Sequence, residues 1–486
     1  MIGRGKRSRQ SQRSKEEDRI SELPDPLICE ILSHLSTKDL VKTSVLSTRW
    51  RTLWLWVPYA TLDSSEFPCL DAFVKLGDRF FDPVRVSCLH ELNLNVIDMN
   101  NKGGDGGASY YHKSWIDAAV KRKVQHVYAQ LQGGNLDFYE LPTSLFNCKT
   151  LVSLRLCLVK VTLDHVGFVS LPCLKSIELK CFNTNEASFE RLVSCCPVLE
   201  KLNISNCLNI RDVKVFRVLS TSLEILVVSF LNFVHDFGSG SGFVVDAPRL
   251  RFLSVVGELS ESFLVNNMDP NNSKVSISLA FRLNDFDEAA LFSKRSSIRR
   301  FLSGISKVSR EMSLSAFTFE LICIYSKLEP LPLFGNIFSL HLDSTVLALN
   351  LVPTFLQSFP NLRALSLVII CLAPMSLFFS ISAYLFIELY FFLPQVSYGA
   401  QKEVKYPSIS SVPQCLLSSL EAIYFHLSIW ETSEEVILLS YFIMNSAILK
   451  KVFVRLSTSD GSRENVTLKR LLQIPRGSTK CQVFVL

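Results

Sequence analysis

The sequence predicts an α/β chain in three parts: a short N-terminal helical module, a solenoid of strand-and-return repeats, and a C-terminal α+β cap. Three observations predict it. Residues 18–62 carry apolar side chains at helical spacing and far more of them than so short a segment can bury alone. A phrase L-x-x-L-x-L then recurs with its leading leucine at 151, 174, 199, 223 and 250, steps of 23, 25, 24 and 27 residues. Finally, residues 401–486 read as a helix, a strand, a short helix and a last strand.

The helical module comes first. Asp25 before Pro26 suits an N-cap followed by proline in the first turn. Leu27, Ile28, Ile31, Leu32 and Leu35 fall on one helical face. Ser36 with Asp39 has the spacing of a second helix start, and Ser47 or Thr48 suits the cap of a third turn carrying Trp50, Leu53, Trp54 and Trp56. A partner protein packed on these helices explains the apolar surplus; a cap on the next domain is the plainer reading.

Residues 23–54, LPDPLICEILSHLSTKDLVKTSVLSTRWRTLW, resemble an F-box of the plant type. The resemblance rests on Leu23–Pro24, Ile31–Leu32, Val45–Leu46–Ser47 and Arg49–Trp50–Arg51. It implies docking on a Skp-type adaptor, and through it a cullin. The contact it implies comprises Leu23, Pro24, Leu27, Ile28, Ile31, Leu32, Leu35, Val45, Leu46 and Trp50.

Ahead of the module lies a basic tail, residues 1–17. Arg4, Lys6, Arg7, Arg9, Arg13 and Lys15 precede any acidic residue and account for the whole net charge of +6. The remainder holds 45 basic and 45 acidic residues, which argues against nucleic acid as a partner. The tail has no apolar period and is expected to be disordered; it is either a nuclear address or a solvated end. Fourteen scattered cysteines, with no C-x-x-C pair and no secretory signal at the start, suit reduced thiols in the cytosol or nucleus.

Residues 63–367 read as the repeat stack. Phe73, Leu76, Phe80 and Phe81 suit a short helix, and Leu89, Leu92 and Leu94 give the first phrase. GGDGG at 103–107 is a flexible loop with none of the spacing of a phosphate cradle. Trp115, Ile116, Ala119 and Val120 restore a helix, and Val124 and Val127 a strand. The period places the middle of the chain among leucine-rich repeats, each giving one parallel strand and a return that reads as helical. One such return has Phe189, Leu192, Val193 and Cys196 on one side. Weaker phrases follow at 275–279, 312–314, 337–342 and 362–367. The variable positions of the phrase, among them Arg155, Glu178, Lys180, Asn203 and Ser205, are the candidates for contact with a target protein, or else a solvated face.

Residues 364–387 carry no charge, long enough for a membrane span, so a membrane-anchored receptor using 364–396 is one reading. Pro374 and the repeats on both sides oppose it. The leading leucines at 362 and 420 are 58 residues apart where one step of 25 is expected. Residues 368–400 therefore read better as inserted material foreign to the fold.

Residues 401–486 resemble the FBD region of plant F-box proteins, with a helix at 435–445, a strand at 448–456, a short helix at 468–474 and a closing strand at 481–486. No catalytic or metal-binding pattern stands out: the eight histidines form no H-E-x-x-H, no G-x-S-x-G occurs, and Cys88-x-His90 reads as part of a strand. The chain is expected to need no cofactor and to perform no covalent chemistry. It reads as the substrate receptor of a Skp–cullin–F-box ubiquitin ligase, or as a repeat scaffold that binds partners without ubiquitination.

Overall fold

The computed structural model describes residues 20, 22–35, 37–82, 88–98, 111–133, 138–207, 215–230, 242–257, 262–269, 272–279, 288–370, 412–427, 433–455, 469, 471 and 473–486. The basic tail, Ser36, the GGDGG loop, most of the apolar block (371–400) and, within the expected 468–474 helix, Leu468, Arg470 and Leu472 lie outside them.

Among the described residues, fifteen parallel strands stand side by side in chain order. They are β1 (Tyr59–Asp63), β2 (Glu91–Asp98), β3 (His126–Gly133), β4 (Ser153–Cys157), β5 (Ser176–Thr184), β6 (Lys201–Cys207), β7 (Ile225–Phe230) and β8 (Phe252–Gly257). The row continues with β9 (Lys274–Leu279), β10 (Glu311–Leu314), β11 (Ser339–Ser344), β12 (Ala364–Ile369), β13 (Ala422–His426), β14 (Lys451–Arg455) and β15 (Gln482–Val485). The leucine phrase sets this arrangement. Its last two apolar positions are two residues apart, so both point to one side of a strand. Leu154 and Leu156 pair with Ile177 and Leu179, and these with Leu202 and Ile204, each at most 1% exposed. A one-residue slip would turn every one of these side chains outward, so burial holds the register.

The returns close over the buried side. Helices fill some of them, including Leu70–Phe80, Tyr111–Lys121 and Glu186–Ser194, at the places their apolar periods predict. Others are strands, which corrects the expectation of helical returns. Val215–Leu219, Gly242–Asp246 and Ser262–Asn267 form a second parallel sheet. Phe216, Phe243 and Phe263 stack along it with centroids 5.3 and 5.6 Å apart. The signal was a second phrase, F-x-V, at 216–218, 243–245 and 263–265, which the leucine period overshadowed.

β12 and β13 are direct neighbours, Leu365 opposite Ile423 and Leu367 opposite Phe425. The preceding step, Leu340 to Leu365, takes 25 residues, whereas this one takes 58. Residues 371–411, within that longer step, lie outside the described residues. β12 also corrects two boundaries. It runs through Val368 and Ile369, past the expected junction at 367. It takes residues 364–369, the first six of the candidate membrane span, into the sheet. Among the described residues no helix is long and apolar enough to cross a membrane. Excising residues 371–403, which returns the step to 25, is expected to leave the melting temperature within about 3 °C of the full chain. Calorimetry checks this, and loss of a cooperative transition would reject it.

At the C-terminal end the helix spans Ser433–Asn445 and the strands are β14 and β15, within a few residues of expectation. β15 pairs with β14 alone among the described strands and forms that edge of the row.

Candidate docking surfaces

The N-terminal module consists of α1 (Asp25–Ser33), α2 (Thr37–Lys42) and α3 (Trp50–Leu53), the last two joined through a 3-10 turn at Thr43–Val45. Pro24, not Asp25, is the N-cap of α1, and Asp25 occupies the first helical position. Arg49, not Ser47 or Thr48, precedes α3, and neither helix has a side-chain cap. Asp25 is used differently: its Oδ1 accepts from Arg49 Nε at 2.8 Å, while Arg49 Nη2 donates to the Leu23 carbonyl at 2.5 Å. One guanidinium thus ties the Leu23–Asp25 segment to the start of α3.

α1 has two apolar stripes. Ile28 and Leu32 are buried, as are Leu53 and Trp54 on the two segments that pack against α1. Leu27, Ile31 and Leu35, spaced by four, face solvent. Val45 and Leu46, at the end of the 3-10 turn and just past it, are 84% and 65% exposed. Pro24 is exposed and Leu23 half-buried. The expected adaptor contact therefore divides. Leu27, Ile31, Leu35, Val45, Leu46 and Pro24 have surface to offer. Ile28, Leu32 and Trp50 are corrected to core positions, because a side chain at most 6% exposed has spent its apolar area inside its own chain.

The module is fixed to the sheet. The Thr37 hydroxyl donates to the Thr61 carbonyl of β1. Trp54 lies 6.3 Å from Phe80, with the Arg79 guanidinium 5.6 Å from its ring. The outer stripe is thereby held on a rigid base at one end of the strand row.

The second surface is the open side of the sheet. Arg155, Glu178 and Asn203 stand side by side on β4, β5 and β6, and Lys180 stands beside Ser205. The five candidate target contacts thus form one patch. Glu178 bridges two cations, with Arg155 Nε at 3.4 Å and Lys180 Nζ at 2.8 Å. The Glu178 carboxylate raises the Lys180 pKa above its ordinary value. Such half-exposed pairs contribute about 0–1 kcal/mol to stability, so the patch retains charge at little structural gain.

Further along, the same row holds residues that sequence reasoning missed. His341 bonds Ser366 through Nδ1 at 2.9 Å and lies 3.3 Å from Asp343 through Nε2. Tyr424, Phe453 and Phe484 stack in a ladder, centroids 4.8 and 5.1 Å apart. Their signal was present: each occupies the variable position of its phrase, as Glu178 does. Among the described residues no group of side chains has the makings of a metal site.

The protein thus joins a helical module with exposed apolar side chains to a long parallel sheet with a varied open face. Its domains fit a substrate-adaptor role. The family model for the F-box domain matches residues 20–60. The model for the LRR repeats of the FBD-associated F-box protein At5g56370 matches 112–291, and the FBD model matches 407–453. Among relatives in Arabidopsis thaliana, the FBD-associated F-box protein At5g53635 is 45% identical over 467 residues, covering 96% of this chain and 99% of that one. The F-box/FBD/LRR-repeat protein At2g05300 is 44% identical over 475 residues, with 97% and 98% covered. The F-box/FBD/LRR-repeat protein At5g25850 is 39% identical over 499 residues, with 100% and 99% covered. The chain belongs to the F-box/FBD/LRR-repeat family.

Proposed function

We propose that this chain is the substrate-recognition subunit of a Skp–cullin–F-box ubiquitin ligase. The observation that carries the reading is the exposure of Leu27, Ile31, Leu35, Val45 and Leu46 on a module that matches the F-box domain. Five large apolar side chains left exposed on one small module mark a surface meant to be covered, and a Skp-type adaptor is the partner that an F-box takes. The parallel strand row is a leucine-rich-repeat solenoid whose open face binds the target, with Arg155, Glu178, Lys180, Asn203 and Ser205 as its charged and polar part. No covalent chemistry belongs to the chain. It speeds ubiquitin transfer by raising the effective concentration of the target beside a charged conjugating enzyme. It works in the cytosol, the nucleus or both.

The test is reconstitution. The full chain, a Skp-type adaptor and a cullin are expected to co-purify as one complex, and proteins captured on the chain are expected to accumulate when the proteasome is blocked. A chain that stays folded and monomeric beside the adaptor sinks the proposal and leaves a repeat scaffold in its place.

A further inference from the structure

We infer that Cys157 and Cys181 form a thiol pair built to close into a reversible disulfide on the open face of the sheet.

Leu158 and Cys181 have φ of 60° and 46°, in the left-handed region that residues with a Cβ rarely enter. They are equivalent positions of adjacent repeats: Cys157 stands opposite Lys180, and Lys160 opposite Asn183. Both strands therefore bend at the same level. The bend breaks the in–out alternation of β5. Lys180 is exposed, Cys181 half-buried and Phe182 buried, so two successive side chains face outward. In an unbent strand Cys181 would point into the core with Leu179. The bend turns it instead to the side occupied by Cys157, itself half-buried at the end of β4.

Reach follows from the register. Strands lie about 4.8 Å apart and rise about 3.3 Å per residue, which puts diagonal neighbours such as these on the order of 6 Å apart between Cα atoms. Disulfides span Cα separations of about 4.4–6.8 Å. The thiols already meet in a side-chain hydrogen bond. That bond and burial hold the Cys157 thiol protonated, far above its ordinary pKa, and the Lys180 ammonium offsets only part of this. Cys181 is accordingly the attacking sulfur.

The oxidant is a low-molecular-weight disulfide. The Cys181 thiolate attacks one sulfur of the reagent, forming a mixed disulfide and expelling one thiolate. That thiolate takes the Cys157 proton. Cys157 then attacks the Cys181 sulfur, closes the Cys157–Cys181 bond and expels the second half of the reagent as a thiolate, which takes from water the proton that Cys181 released on ionising and leaves as a thiol. Two protein thiols are oxidised and one disulfide reagent is reduced to two thiols. The reaction does not depend on the proposed ligase role, although the site adjoins Arg155, Glu178 and Lys180.

The test titrates the full chain in glutathione buffers of increasing glutathione disulfide content, with non-reducing peptide mapping by mass spectrometry. A linked peptide pair carrying Cys157 and Cys181 is expected at about a tenfold lower glutathione disulfide fraction than half-modification of the exposed Cys173, because the second thiol is supplied internally. Buried Cys148 and Cys196 are expected to remain thiols there. Cys157→Ser is expected to leave Cys181 carrying glutathione, and Cys181→Ser to abolish the link. Two free thiols at 157 and 181 after Cys173 is fully modified, or a link from either to another cysteine, overturns the inference. Because the wild-type link is itself the readout, a variant that fails to fold does not rescue the idea.

Discussion

Replacing Val45 and Leu46 together by aspartate is expected to weaken binding of a Skp-type adaptor by about 100-fold or more, some 2.7 kcal/mol. The same change is expected to leave the melting temperature of the free chain nearly unaltered. Both effects follow from exposure. At 84% and 65% exposed, these side chains contribute little to the chain's own core. Covered by a partner, each would remove apolar area from water, and a carboxylate in that place would have to be desolvated without a partner charge. Ile28→Ala and Leu32→Ala make the contrasting pair. Both side chains are at most 1% exposed, so each truncation should cost about 2–5 kcal/mol of folding stability and reduce adaptor binding only through unfolding. Titration calorimetry against the purified adaptor, alongside thermal melts, separates the two. Full-strength binding by the aspartate variant would move the interface elsewhere on the chain.

This contrast shows how much of the site was legible in the sequence. Helical spacing placed Leu27, Ile28, Ile31, Leu32 and Leu35 on one face, but a period finds apolar positions without saying which stripe is turned inward. The answer depends on α3 and the Trp54–Trp56 turn, which follow in sequence and fold back against α1. The strand row was easier to read. A stack of identical registers repeats the same two-in, one-out pattern, so each phrase reports the burial of the next. The strand returns were harder, because Val215–Leu219 and its neighbours pair with one another rather than with anything nearby in sequence. The bend at Cys181 was invisible for a different reason. A left-handed residue is usually announced by glycine, and here leucine and cysteine occupy it.

Lowering the pH from about 6.5 to about 4 is expected to remove about 3 kcal/mol of stability through His112 alone. His112 lies on the Tyr111–Lys121 helix, 1% exposed, its ring 5.1 Å from that of Tyr139. Burial lowers its pKa to about 4; the bond to the Glu140 carbonyl works upward but is outweighed, and Lys113 adds to the lowering. The ring nitrogen Nε2 lies 3.3 Å from that carbonyl, which requires it to carry the hydrogen in the neutral form. In the unfolded chain the same imidazole gains its proton near pH 6.5. Between the two values the unfolded state binds the extra proton and the folded state does not. The stabilising difference is therefore complete above about pH 6.5 and is lost as pH falls toward about 4, by about 1.4 kcal/mol per unit within that window. His112→Gln keeps a donor for Glu140 and cannot titrate, so its stability should fall less steeply with acid, whatever constant cost the change brings. Other titrating groups are shared by the two proteins and cancel in the difference. Urea unfolding of both from pH 7 to pH 4.5 measures it, and parallel stability curves would show that His112 meets water in the folded chain.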